Sequence, residues 1–181
     1  DDLNLTRMLH GKILRSPVPH ARILNIDTSK ALSLPGVKSV VTGKDTRGAK
    51  YGVYARTSDQ QCIAVDKVRY IGDEVAAVAA VDEDTAEEAL GLIKVEYEEM
   101  PAVFDPDEAM RPGAPAVHEA ERNICGKTSL NYGNVEAGFK GSYYVRQDRL
   151  TTGEQAHCPL EPHVAVASWE TSGKLPVWTP N

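Results

Sequence analysis

Two stretches of this chain, IDTSKALSLPGVKSV from Ile26 and VDEDTAEEALGLIKV from Val81, align without a gap, acid against acid and helix former against helix former. Each follows an apolar run, ARILNID before the first helix and EVAAVAAV before the second. In both, side chains stand where a helix begins that can accept the backbone N–H groups the first turn leaves unpaired. Asp27, Thr28 or Ser29 serves the first helix, SKALSL, and Pro35-Gly36 stops it before VKSVVTG resumes extended chain. In the second, Asp84 and Glu87 have the spacing of a capping box, and Ala86, Ala89, Leu90 and Ile93 fall on one helical face. KVEYEE then alternates as a strand does. The pattern predicts a duplicated βαβ unit, preceded by the strand HGKILRS and separated from it by Pro17 and Pro19. Two small layers of helix on strand are expected to pack into one self-sufficient unit.

Beyond Met100 the character changes. Pro101, Pro106, Pro112 and Pro115, with Gly113, cannot sustain a ladder of backbone hydrogen bonds, so the chain to about Gly126 reads as a connection along the surface. After it, SYYVRQDRLTTGEQAHC, EPHVAVASWE and KLPVWTPN carry β-branched and aromatic residues between turn signals such as Thr171-Ser172-Gly173. They read as consecutive strands of a second unit, begun but not closed. A chain of 181 residues accommodates a small domain plus part of another.

A net charge of −6 with no clustered Lys or Arg argues against nucleic acid as a partner, because phosphate binding needs a basic surface. No run approaches the ~18–20 consecutive apolar residues of a membrane span, and DDLNLTRMLH lacks the basic-then-apolar order of a secretory leader. Cys62, Cys125 and Cys158 are odd in number and far apart, which suits a reducing compartment, expected to be the cytoplasm, with each thiol a small buried hydrophobe.

Gly43-Lys44 does not belong to a P-loop, which needs four residues between its glycine and the Gly-Lys pair and a hydroxyl after it; Asp45 follows here. Gly72 in YIGDEV precedes a strand and so permits a tight turn, not a dinucleotide fingerprint. The densest cluster of polar chemistry is GEQAHCPLEPHVAVASWE. On an extended chain His157, Glu161 and His163 share a face, and two imidazoles with a carboxylate are zinc ligands in kind. Pro159 and Pro162 interrupt that strand, and no fourth ligand is indicated. The plainer alternative makes Glu161 and His163 partly buried groups bonded to backbone or to each other. His20 poses the same choice, with a structural or surface role favoured, and Asp73-Glu74 reads as a charged strand entry or a contact to a neighbouring subunit or domain.

GKILRSPVPHARILNIDTSKALSLPGVKSVVTGKD, VDKVRYIGDEVAAVAAVDEDTAEEALGLIKVEYEEMPAVFDPDEAM and HCPLEPHVAVASWE together resemble the N-terminal part of the molybdenum-binding large subunit of the xanthine dehydrogenase and aldehyde oxidase family, and most resemble its 4-hydroxybenzoyl-CoA reductase branch. The resemblance implies an α+β fold: an α/β hammerhead domain of mixed sheets and short helices over 1–115, then a linker and the first strands of the molybdopterin-binding domain over 116–181. It implies a molybdenum oxidoreductase acting on an aromatic, aldehyde or aromatic acyl-CoA carbon, with 2Fe-2S clusters and FAD on partner subunits or domains. The pterin loops and the catalytic base of the family lie downstream, so no catalytic or metal-ligating residue is assigned, and this piece alone is expected to be inactive. Glu154, Gln155, His157, Glu161 and His163 become the residues expected near the cofactor. Two competing readings stand beside this one: a non-catalytic α+β module docking onto other subunits through its acidic surface, and a zinc hydrolase built on His157, Glu161 and His163.

Overall fold

The computed structural model describes residues 3–52, 58–119, 121–153, 155–156 and 158–180. It divides into two compact units, Leu5–Ser129 and Leu130–Asn181, the latter together with Asp1–Asn4.

The first unit holds the strands β1 (His10–Arg15), β2 (Ala21–Asp27), β3 (Val37–Thr42), β4 (Lys50–Tyr51), β5 (Gln60–Gln61), β6 (Lys67–Val68), β7 (Glu74–Ala80) and β8 (Lys94–Glu99). Its helices are α1 (Ser29–Ser33), α2 (Glu83–Leu92) and α3 (Pro106–Ala109). One sheet has the order β1-β7-β3 and another β6-β2-β8, while β4 and β5 form a short ribbon. Every pairing is antiparallel.

That topology corrects the βαβ expectation. In each copy of the repeat the chain leaves one sheet, forms its helix and enters the other: β2 and β3 flank α1 but lie in different sheets, as do β7 and β8 around α2. Each sheet takes one strand from each copy. β3 pairs with β7, placing Val41 opposite Ala77, and β8 pairs with β2, placing Val95 opposite Ile26. The copies are interlocked, because each strand finds its backbone partner in the other copy. Ala31 of α1 and Ala89 of α2 are fully buried in one cluster with Ala76, Val78 and Ile93. A second cluster, Ala21, Ala64, Val68 and Val75, sits beyond it, and Ile26 and Val95 pack against both. β7 feeds both clusters from alternate residues, which is why EVAAVAA is an apolar run without a polar face.

The helix starts differ from expectation in one detail. α2 is capped by Asp82, whose Oδ1 accepts the Thr85 N–H at 2.7 Å, and Asp84 lies inside the first turn. The capping box expected at Asp84 and Glu87 therefore falls two residues too late; both acids lie in the helix facing solvent. Asp27 accepts the Ser29 N–H at 3.0 Å, the acid that aligns with Asp82 in the repeat. The two copies touch at their turns: Gly36, at φ +98, accepts the Val81 N–H at 3.0 Å, and a Cβ there would lie 3.0 Å from the Val81 side chain.

In the second unit the expectation of three consecutive strands fails for most of its length. α4 (Val135–Gly141) forms ahead of it, capped by Asn134 through the Ala137 N–H at 2.9 Å, and among the described residues there only β9 (Val166–Ala167) and β10 (Val177–Trp178) pair. The turn between them is the one expected: Gly173, at φ +84, donates its N–H to the Glu170 carbonyl at 3.0 Å. SYYVRQDRL carries the strand-forming residue types but has no neighbouring strand to bond.

Candidate functional site

The polar residues singled out in the sequence separate into two groups. His20, Asp73 and Glu74 belong to the first unit, Asp73 and Glu74 at the loop between β6 and β7 and His20 beside Met100 and Pro101. Gly72 shapes that loop: at φ +96 its N–H donates to the Ser16 carbonyl at 2.8 Å, and the Ser16 N–H donates to the Asp73 carbonyl, also at 2.8 Å. Asp73 is only 6% exposed, and its Oδ2 accepts the Arg69 N–H at 2.8 Å. Removal from water pushes its carboxyl pKa above the ordinary value, against the pull of the Arg69 N–H. Glu74 pairs with Arg15 at 2.6 Å, and the same Arg15 nitrogen donates to the Gly72 carbonyl at 2.8 Å. The Tyr70 hydroxyl donates to Glu74 at 3.3 Å; its pKa is pushed up to about 12 by burial first, then by Asp73 and Glu74.

His20 is 1% exposed, which removes the surface alternative. Its Nδ1 lies 2.7 Å from the Pro101 carbonyl, which can only accept, so the proton sits on Nδ1. Nε2 is then a bare acceptor, buried without a partner. The Ser16 hydroxyl donates to the Val18 carbonyl at 2.8 Å, so it stands beside no base. Ser16, Gly72, Asp73 and Arg15 brace the loop before β7. Sequence reasoning missed Ser16 and Arg69; Ser16 is signalled only by its place at the end of β1 before Pro17. Gly43, at the end of β3, opens a 3-10 turn capped by Thr42 and Asp45, and a Cβ on it would lie 2.2 Å from the Ala64 carbonyl oxygen. Close backbone approach, not phosphate, is what this glycine serves.

The second group is the C-terminal cluster. Gln155, Glu161 and His163 are exposed, and Glu154 and His157 lie outside the described residues. The shared face expected for His157, Glu161 and His163 rests on His157, which lies outside the described residues. Cys158 takes φ +43 and the chain bends at Leu160-Glu161 between Pro159 and Pro162, so the alternation of an extended strand is broken. The partial burial expected for Glu161 and His163 is likewise corrected, since no neighbouring strand covers them. Among the described residues no group of three or more His, Cys, Asp or Glu is placed to hold a metal ion. Cys62, Cys125 and Cys158 are free and exposed, contrary to the buried role expected; each lies outside the two apolar clusters. Among the described residues no helix is long and apolar enough to cross a membrane.

The family model described as "Aldehyde oxidase and xanthine dehydrogenase, a/b hammerhead domain" matches residues 1–101, and that of the "Molybdopterin cofactor-binding domain" matches residues 117–181. A probable xanthine dehydrogenase subunit of Bacillus subtilis (strain 168) is 42% identical over 173 residues, covering 95% of this chain and 23% of the relative. The nicotinate dehydrogenase large molybdopterin subunit of Eubacterium barkeri is 37% identical over 177 residues, covering 97% of this chain and 41% of the relative. The crystal structure of quinoline 2-oxidoreductase from Pseudomonas putida 86 superposes with a TM-score of 0.86 at 35% identity, covering 98% of this chain and 24% of that one. The chain thus spans less than half the length of each.

Proposed function

Because the chain belongs to the aldehyde oxidase and xanthine dehydrogenase hammerhead family, we propose that it is the N-terminal piece of the large subunit of a molybdenum hydroxylase-type oxidoreductase acting on an aromatic or aldehyde carbon. The observation that carries this is the order of the two matches, hammerhead over 1–101 and molybdopterin-binding from 117, within a continuous 181-residue chain. The relatives' names include xanthine and nicotinate, both aromatic rings, which supports an aromatic carbon as the target.

The residues described do not themselves form a cradle for a molybdopterin. Gln155, Glu161 and His163 stand in solvent, and Leu130, Tyr132, Tyr143 and Leu160 are each more than nine-tenths exposed. Apolar surface left open in this way is costly at ~25 cal/mol per Å² and marks a region that further chain covers. On this reading the hammerhead domain extends over 1–115 and the cofactor domain begins at 116. Glu154, Gln155, His157, Glu161 and His163 then form part of a polar wall once the remainder of the subunit encloses them. Iron–sulfur clusters and a flavin sit on partner subunits or domains, and three free, exposed thiols suit the cytoplasm.

The test compares the 181-residue chain with the same chain extended through its downstream coding sequence. Molybdenum, measured by mass spectrometry, is expected at one per chain in the extended protein together with dehydrogenase activity, and in neither respect in the short one. Stoichiometric molybdopterin on the short chain, or none on the extended chain, overturns the assignment.

A further inference from the structure

The two three-stranded sheets end in four edge strands, β1, β3, β6 and β8. An edge leaves backbone N–H and C=O groups open on one side, and proteins blunt it by short length, a bulge or a charge turned inward. Three of the four edges are blunted in these ways. β1 turns Lys12 onto Glu83 and Glu87 of α2. β3 is bulged between Val37 and Ser39. β6 is two residues long, and the chain after Pro115 is tied beside it: Lys67 donates to the Ala116 carbonyl at 3.3 Å, and His118 Nδ1 lies 2.9 Å from Asp59 Oδ2 in the loop before β5. β8 has none of these devices. Its six residues, Lys94–Glu99, run along β2 with no extra residue of their own, because the bulge in that ladder is at Leu24 of β2. Among the described residues, no backbone group of β8 bonds outside that ladder.

We propose that the open edge of β8 takes up an extended segment of another polypeptide, one with basic residues at alternate positions and apolar residues between them. Backbone pairing supplies the attachment, as in strand addition generally. The side chains of β8 define the rest. Val95 and Tyr97 pack against the apolar clusters yet are only half-buried, while Lys94, Glu96 and Glu98 stand exposed on the opposite face. Apolar residues of an added strand extend the covered face beside Val95 and Tyr97, and its basic residues stand beside Glu96 and Glu98. Glu98 already holds Arg22 of β2 across the same face at 3.3 Å, the pairing an added strand repeats on the other side. The acids do not obstruct a neighbour, since they stand off the sheet; they select its charge. A second copy of β8 does not fit. Any register that overlaps most of the strand and keeps the polar faces together sets Glu96 opposite Glu96 or Glu98, and like charges directly opposite destabilise a ladder.

The experiment is amide hydrogen exchange by NMR on the full 181-residue chain, titrated with the end-capped peptide Lys-Val-Lys-Val-Lys-Val. The alternate β8 amides that face away from β2 are expected to exchange more slowly as peptide is added, with those of β1 and β3 unchanged. The peptide Glu-Val-Glu-Val-Glu-Val is expected to leave β8 unprotected, a comparison that needs no variant. Glu96→Gln is expected to weaken binding of the lysine peptide about 1.5–5-fold, the effect of losing one cross-strand charge pair, with unchanged circular dichroism. No slowing at β8, equal slowing at β1 or β3, an equal effect of the glutamate peptide, or undiminished affinity in Glu96→Gln would each overturn the proposal. So would β8 protection that rises with protein concentration in the absence of peptide, which marks a second copy. Protection already present without peptide in the chain extended through its downstream coding sequence would overturn it too, because the chain's own continuation would then hold the edge.

Discussion

Replacing Gly43 by alanine tests whether the two apolar clusters are held together by a backbone crossing. A Cβ at Gly43 would lie 2.2 Å from the Ala64 carbonyl oxygen, 2.7 Å from its carbon and 2.7 Å from the Val65 Cα. All three are backbone atoms, so no side chain can rotate away. Ala64 cannot retreat cheaply: its N–H donates to the Glu74 carbonyl at 2.7 Å, and its side chain is buried with Val68 and Val75. Relief requires lifting residues 63–65 by more than an ångström off the end of the sheet, which uncovers Val75. Overpacking commonly costs about 1–3 kcal/mol, and a backbone-to-backbone clash belongs at or beyond the top of that range. Two other glycines calibrate the effect. Gly72→Ala meets nothing within 4 Å but must hold φ +96, which costs about 1–2 kcal/mol from conformation alone. Gly91→Ala, near the end of α2 and also in open space, gains about 0.5–1 kcal/mol. Urea unfolding followed by far-UV circular dichroism measures all three. A Gly43→Ala loss smaller than that of Gly72→Ala would refute the crossing as a structural constraint.

Asp73→Asn keeps an acceptor for the Arg69 N–H and removes a buried charge. Since burial raises the Asp73 pKa, its ionisation weakens the fold as pH rises through the folded value and has no effect below the unfolded one. Stability of the variant relative to the parent is expected to rise between about pH 3 and about pH 7, measured by urea midpoints; a flat difference would contradict the burial argument. Thiol reagent added to native protein is expected to label Cys62, Cys125 and Cys158 without denaturant, because all three are exposed; fewer than three fast-reacting thiols by mass spectrometry would count against the structure there.

The elements of the first unit were legible because their signals are local. Asp27 announces a helix start within three residues, Pro35-Gly36 announces a stop, and Ala86, Ala89, Leu90 and Ile93 reach the core as their spacing requires, although the second cap lies at Asp82 where Asp84 was expected. What was not legible depends on partners far along the chain. Nothing in VKSVVT says that β3 will bond β7 in place of its own β2, and nothing at His118 points to Asp59. The C-terminal cluster failed for a related reason: residue types that form strands need a neighbouring strand, and the polar cluster needs a wall. Two-residue pairing at β9 and β10 supplies neither for Glu161 and His163.

The interlocked repeat makes the first unit cohere through pairing between distant parts of the chain. A βαβ unit in one parallel sheet would leave each copy able to separate with its own strands intact. Here each sheet contains one strand from each copy, so parting the copies breaks both the β3–β7 and the β2–β8 ladders at once. Those ladders close around Ile26 and Val95, which pack against both apolar clusters, so loss of one ladder exposes the core of the other. Cooperativity of this kind needs few large side chains, and the core has few: alanine and valine make up most of its buried residues. The unit accordingly depends on close backbone approach, at Gly36 between the copies and at Gly43 between the clusters, more than on bulk. Asn123, bonded to Val117, Ala109 and Pro115, fixes the course of the chain as it leaves the unit.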